Sequence, residues 1–176
     1  AGFDAIAQAI ESLISKKSNE RSKLFAEKSL KLSLNFFLDY LNKPNFENTS
    51  AMCLAANLSG EAISISKTTA PHAVSYPFTA LYNISHGHAV SLTLNKFLKF
   101  NYKNLTSAKC DFDLSERFKL LFDLTKSSNF EDFDQYLEKL KDSAKLENNF
   151  KKLGIDINKN YTKIISSVNP KRLANN

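Results

Sequence analysis

Apolar residues recur at three- and four-residue steps along most of the chain, the spacing that lines one face of an α-helix. Over 2–16 the series is Phe3, Ile6, Ala7, Ile10, Leu13 and Ile14. Over 20–42 it is Leu24, Leu30, Leu34, Phe37, Leu38 and Leu41, and Asn42-Lys43-Pro44-Asn45 stops the helix, because proline cannot continue the backbone ladder. A third helix is expected over 47–65, where the alanines and Gly60 of "SAMCLAANLSGEAISI" predict close packing against neighbours. Thr68-Thr69-Ala70-Pro71 reads as a cap followed by proline at a first helical position, opening a helix over 71–80. A loop over 82–85 leads into a mostly apolar, buried helix over 87–100. Shorter amphipathic helices are expected over 114–124, 130–144, 146–152 and 158–166, and Asn169-Pro170 ends the regular structure. No internal repeat and no alternation of period two is present. The expected fold is all-α.

Length adds that 176 residues suit one domain or a large piece of a longer chain, and a 43% hydrophobic content can build a sizeable core. The chain starts inside a helical pattern and finishes on "NPKRLANN", so it reads as a piece of something longer. No apolar run approaches the roughly 20 residues that span a bilayer, and no membrane partner is expected. Ala1-Gly2-Phe3-Asp4 lacks the basic leader and apolar stretch of a secretion signal. Cys53 and Cys110 form no CxxC pattern and read as buried or incidental thiols of a reducing compartment, which points to the cytoplasm. The net charge of +6 raises the question of nucleic acid. However, the lysines alternate with acids, as in "EDFDQYLEKLKDSAKLENNFKK", and only three arginines occur. Solvated helix faces explain that pattern better than a binding patch, so no nucleic-acid partner is expected.

Candidate chemistry gathers where the histidines are. All three, His72, His86 and His88, fall in one short stretch, "KTTAPHAVSYPFTALYNISHGHAVSLTL". Proline precedes His72 and glycine follows His86, so each sits near an element boundary where side chains can converge. Two imidazoles with a carboxylate make a three-point metal set with open positions. Against this, one histidine could cap a helix and the other be a hydrogen-bonded core group. His88, two residues beyond His86 on a helix, points away from it. Asp4 and Gln8 are four residues apart and share a helical face, which suits two ligands for one ion; a first-turn charge with a surface glutamine is the simpler account. Lys67-Thr68-Thr69 can hold an anion through an ammonium, two hydroxyls and the N–H groups of the next helix start, or can be an ordinary cap beside an exposed lysine. No glycine-rich phosphate loop and no nucleophile elbow is present.

"AGFDAIAQAIES", "HAVSYPFTALYNISHGHAVSLTL" and "VNPKRLANN" together resemble the C-terminal domain of the iron-containing (group III) alcohol dehydrogenases, relatives of dehydroquinate synthase and glycerol dehydrogenase. The family pattern is a Gly-x-Asp-Ala-x-x-His-Ala-x-Glu helix, then a His-x-x-x-His segment and a later His-Gly. The resemblance covers nearly the whole chain. "KTTAPHAVSYP" looks closest to the branch of phosphonoacetaldehyde reductases and hydroxyethylphosphonate dehydrogenases.

The resemblance implies a multi-helix metal-binding domain over 1–176, without the nucleotide-binding domain that precedes it in relatives. Asp4, His72 and His86 take the positions of metal ligands for iron or zinc, and Gln8 stands where most relatives have a further histidine. Its carbonyl oxygen could serve a hard ion, or it could hydrogen-bond water on the metal. Tyr76 stands where many relatives carry a non-ligand active-site histidine, and is the candidate catalytic residue; Lys67, Thr68 and Thr69 are the candidate substrate-binding residues. The implied activity is NAD(P)-dependent interconversion of an alcohol and an aldehyde, with a small, anionic, phosphonoacetaldehyde-like substrate. The metal polarises the substrate oxygen, the missing domain holds most of the dinucleotide, and the full-length form can be a homodimer. This piece alone is expected to be inactive. The departures at Gln8 and Tyr76 motivate a second reading, a catalytically degenerate helical interaction or assembly domain of the same fold.

Overall fold

In the computed structural model, which describes residues 2–176, the chain forms nine α-helices and no strand among those residues. They are α1 (Gly2–Ile14), α2 (Glu20–Asn42), α3 (Phe46–Ser66), α4 (Ala70–Tyr82), α5 (His86–Lys103), α6 (Leu114–Thr125), α7 (Phe130–Ser143), α8 (Ile157–Ser166) and α9 (Pro170–Leu173), with a 3-10 turn at Leu105–Ser107. Asparagine and aspartate open most of them, because a short side-chain oxygen can accept from an unpaired first-turn N–H. Asn19 and Ser22 exchange side-chain and backbone bonds of 3.0 and 2.9 Å, and Asn45 and Asn48 do the same at 2.9 Å.

Two expected boundaries differ. Residues 146–152 form turns, because the Asn149 side chain accepts from the N–H groups of Lys151 and Lys152 and so competes with helical bonding. Asn169-Pro170 does not end the regular structure. Asn169 caps α9, whose first residue is the proline. Gly60 also differs from expectation: a Cβ there would meet nothing within 4 Å. The close approach of α2 and α3 rests instead on buried Ala26, Ala55, Ala62 and Ser29, whose hydroxyl donates to the Ala55 carbonyl at 2.7 Å. Cys53 is exposed and Cys110 half-buried, both free thiols.

Helix α1 is the centre of the packing. Ten of its 13 residues are buried, as expected of a helix that is apolar almost all round. Around it α2, α3, α5, α6 and α7 enclose the larger core, where Tyr102, Phe118, Phe122, Phe130 and Phe133 pack ring against ring. A smaller core joins α4, α5 and α8 through Phe78, Leu92, Ile155 and Ile164. Helix α5 therefore belongs to both cores, and the starts of α1, α4 and α5 meet between them. No helix is long and apolar enough to cross a membrane.

Candidate metal centre

Asp4, Gln8 and Glu11 of α1 stand at steps of four and three residues that keep all three on one face. That face meets the first turn of α4, which carries His72, and the first turn of α5, which carries His86. Gly87 makes the second approach close. A Cβ there would stand 3.1 Å from the Asp4 Cβ and 3.2 Å from the Asp4 nitrogen, nearer than side chains normally pack. Gly87→Ala should therefore push α5 off α1, costing about 1–3 kcal/mol of stability and roughly tenfold in metal affinity, which chemical denaturation and calorimetry would measure. Unchanged values in both would show that the approach is not tight.

One ligand atom from each of Asp4, His72 and His86 lies within 4.8 Å of the other two. The Asp4 Oδ1 stands 3.4 Å from His72 Nε2 and 3.8 Å from His86 Nε2. Asp4 Oδ1 and His72 Nε2 are both buried and neither has a hydrogen-bond partner. At 3.4 Å a protonated His72 meets Asp4 as a long ion pair without a hydrogen bond, so each buried atom keeps bonding capacity that an ion could satisfy. Ligand bonds of about 2.1 Å at the tetrahedral angle would set two donors about 3.4 Å apart, so the pair has the spacing of atoms that share an ion. The set passes the fit for a divalent metal.

Glu11 holds the other side of His72. It is fully buried, its Oε2 is bonded to His72 Nδ1, and its Oε1 accepts from the Thr69 N–H and hydroxyl, both at 2.9 Å, and from the His72 N–H at 3.3 Å. The carboxylate thus occupies the N-terminus of α4, where unpaired N–H groups and the helix dipole favour an anion. It also fixes the histidine so that Nε2 faces Asp4, the carboxylate–histidine–metal arrangement of many metal sites. Sequence reasoning gave Glu11 no role. The available signal was a second acid on a mostly apolar helix, in step with Asp4, at the last position of the family's helix pattern.

Other candidates fall as follows. The Asp4 carboxylate can only accept, which orients the Gln8 amide: its nitrogen donates to Asp4 Oδ2 at 2.9 Å, and its oxygen accepts from the Ser59 hydroxyl at 2.9 Å. Gln8 thereby buttresses Asp4. Tyr76 lies beside the set, its ring 5.4 Å from that of His86, and its hydroxyl accepts from Arg172 of α9. A cleft of about 480 Å³ opens here, and its walls include Gln8, Lys67, Thr68, His72, Tyr76 and His86. Thr69 is not brought to the cleft; it is buried against Glu11 and makes no side-chain cap. His88 turns away, as its position on the helix predicts, and donates from Nε2 to the Glu147 carbonyl at 2.6 Å.

Electrostatics follow from this layout. Burial alone would lower the His72 pKa, but the Glu11 and Asp4 carboxylates overcome it and push it up to about 9. Burial would raise Asp4, yet the two histidines hold it below the ordinary carboxylate range. His86 is lowered by burial and by the charges of His72 and Arg172, against the opposing pull of Asp4. Near neutral pH, His72 is thus protonated and His86 neutral. Metal binding must expel the Nε2 proton of His72. Apparent affinity should therefore rise about tenfold per pH unit up to about pH 9, with about one proton released per ion at pH 7. Calorimetry in buffers of different protonation enthalpy measures that number. A value near zero would remove His72 as the titrating ligand.

Comparison with known proteins agrees with this picture. The profile of the "Fe-containing alcohol dehydrogenase family, C-terminal" matches residues 1–176. The chain is 26% identical over 143 residues to 4-hydroxybutyrate dehydrogenase of Clostridium kluyveri, covering 80% of this chain and 38% of that protein. It is 33% identical over 102 residues to phosphonoacetaldehyde reductase of Streptomyces viridochromogenes, covering 57% of this chain and 26% of that protein. Among solved structures, sulfoacetaldehyde reductase from Bifidobacterium kashiwanohense in complex with NAD+ superposes with a TM-score of 0.82 at 25% identity, over 99% of this chain and 44% of that one. The chain spans less than half the length of each of these relatives. With the family profile matched from end to end, the chain belongs to the Fe-containing alcohol dehydrogenase family and corresponds to its C-terminal part.

Proposed function

We propose that residues 1–176 form the metal-holding, substrate-side domain of an NAD(P)-dependent alcohol dehydrogenase or aldehyde reductase. The observation that carries the reading is the buried couple Asp4 Oδ1 and His72 Nε2, 3.4 Å apart and not hydrogen-bonded, with His86 beside it and Glu11 behind. Two imidazoles and a carboxylate suit zinc or ferrous iron. An ion held there supplies Lewis-acid polarisation of a carbonyl or hydroxyl oxygen while hydride is exchanged with the nicotinamide.

The residues divide the remaining work. Asp4, His72 and His86 bind; Glu11 holds the His72 Nδ1 proton, so that Nε2 is the nitrogen that ligates once its own proton is lost; Gln8 and Ser59 aim Asp4. Turning the Gln8 carbonyl toward an ion would break its bond from Ser59, so Gln8 acts as a positioning residue. Tyr76 presents a half-exposed phenol beside His86, where it can hydrogen-bond a substrate oxygen. Lys67 and Thr68 belong to the substrate wall.

The remaining length of a full-length protein is assigned to NAD(P), a reading supported by the similarity to a sulfoacetaldehyde reductase captured with NAD+. The names of the three relatives specify 4-hydroxybutyrate, phosphonoacetaldehyde and sulfoacetaldehyde, each a short chain ending in an anion. They support a phosphonoacetaldehyde-like substrate here. The test is oxidation of NADH and NADPH by the full-length protein with such aldehydes, before and after chelation. Turnover lost with the chelator and restored by zinc or ferrous iron is expected. No turnover with any short aldehyde would leave the domain as a helical assembly module, and turnover indifferent to chelation would remove the metal from the reaction.

A further inference from the structure

We propose that Arg172 anchors the anionic end of the substrate and makes this cleft selective for short aldehydes that end in phosphonate, sulfonate or carboxylate. The inference rests on the reading above and names the group that enforces its specificity.

The cleft is unusually one-signed. Lys17, Lys67, Lys171 and Arg172 line it, and its walls contain no carboxylate. Asp4, which adjoins it, is turned to the two histidines and to Gln8. A concave surface lined by one sign of charge concentrates small ions of the other sign. The Lys67 ammonium is turned to the Ser64 carbonyl at 2.6 Å, so the lysines provide the field and the arginine is the cation held against Tyr76. Its guanidinium carbon lies 4.9 Å from the Tyr76 ring centre, and one of its nitrogens donates to the Tyr76 hydroxyl. Among the described residues no carboxylate pairs with Arg172, whereas Arg117 is paired with Glu20 at 3.1 Å. An unpaired planar fork matches the geometry of carboxylate, sulfonate and phosphonate oxygens.

The backbone that carries Arg172 is tied down on both sides of the cleft. Asn169 caps α9 at its start. Beyond α9, Asn175 donates to the Thr68 carbonyl at 3.3 Å and its own carbonyl accepts from the Lys16 N–H at 2.9 Å. Asn176 and Asn101 exchange side-chain amide bonds of 3.1 and 2.8 Å. The last residues therefore form a strap that holds the cation ready before an anion arrives, which reduces the ordering cost of binding. Tyr76 neighbours both groups, with Arg172 at its hydroxyl and the His86 ring 5.4 Å from its own. A short-chain molecule whose oxygen lies at the histidines would place its far end at the arginine.

The decisive comparison is kcat/KM of the full-length protein for phosphonoacetaldehyde against butanal, a neutral aldehyde, in wild type, Arg172→Ala and Arg172→Lys. We expect the ratio to fall roughly 10- to 100-fold in Arg172→Ala, mainly through KM, and Arg172→Lys to recover part of it. An unchanged ratio, or an equal loss with both aldehydes, would overturn the proposal and reduce Arg172 to holding the strap. A rise confined to the KM of NADH or NADPH would also overturn it, by showing that the anion at Arg172 is the dinucleotide's. Calorimetry with methylphosphonate separates this inference from the reading beneath it. Binding by wild type and not by Arg172→Ala, in a protein that turns over no aldehyde, would retain the anion site and reject the reductase.

Discussion

Glu11→Ala is expected to destabilise the protein by about 3–5 kcal/mol, the largest single-residue effect at the site. The variant strands the partners of a fully buried carboxylate: the Thr69 N–H and hydroxyl, the His72 N–H and the His72 ring. It also opens a cavity at the start of α4 and removes the charge that holds His72 protonated. Glu11→Gln separates these effects. The amide oxygen can still accept from Thr69, but without the negative charge the His72 pKa should fall from about 9 toward its ordinary 6.5. Above about pH 9, where no proton competes for His72, metal affinity should drop 10- to 100-fold, the usual effect of losing a group behind a ligating histidine, while at pH 7 the relieved proton competition offsets part of that loss. Urea unfolding and metal titration measure the two losses, and a stability change under about 1 kcal/mol in Glu11→Ala would contradict the account. The pH dependence has a definite sign. Because folding raises the His72 pKa, the ion-free protein draws its full benefit below about pH 6.5 and loses it as pH rises through about 9.

His72→Ala is expected to abolish stoichiometric metal binding and to lower full-length turnover by at least about a thousandfold, since it removes the one ligand fixed from both sides. Asp4→Asn should approach the same loss, because the amide keeps the bond geometry toward Gln8 and loses the charge. His86→Ala should be milder in affinity, because His86 is about a third exposed and lacks a partner comparable to Glu11. Retention of affinity to within roughly threefold in His72→Ala would remove this residue from the ligand set.

Most of the helices were legible as apolar periodicity, because a helix packed on one side must repeat its buried residues every three or four positions. The expected bounds of α2 coincide with those observed, where Asn19 and the Lys43-Pro44-Asn45 stop punctuate the chain. Periodicity failed where a side chain bonds its own backbone. Asn149 turned an apparent helix into turns, and Asn169 started one where proline suggested an end. The site was legible in half. The histidine clustering and the family pattern pointed to Asp4, His72 and His86, which the fold does gather. Glu11 was hidden because its partners lie about sixty residues away along the chain, and Thr69 was read as a cap when its hydroxyl serves Glu11 instead. Arg172 was hidden for the same reason, since only the strap brings it to Tyr76. Local patterns report local bonding; long-range partners of a charged group leave no spacing to read.

The central claim is that Asp4, His72 and His86 hold one divalent ion with Glu11 behind His72. Anomalous diffraction at the metal edge, from crystals of the full-length protein loaded with zinc, tests it most directly. The account predicts a single strong peak in contact with the Asp4 carboxylate, His72 Nε2 and His86 Nε2, while His72 Nδ1 stays bonded to Glu11. A peak elsewhere, or none at this site under saturating zinc, would contradict it.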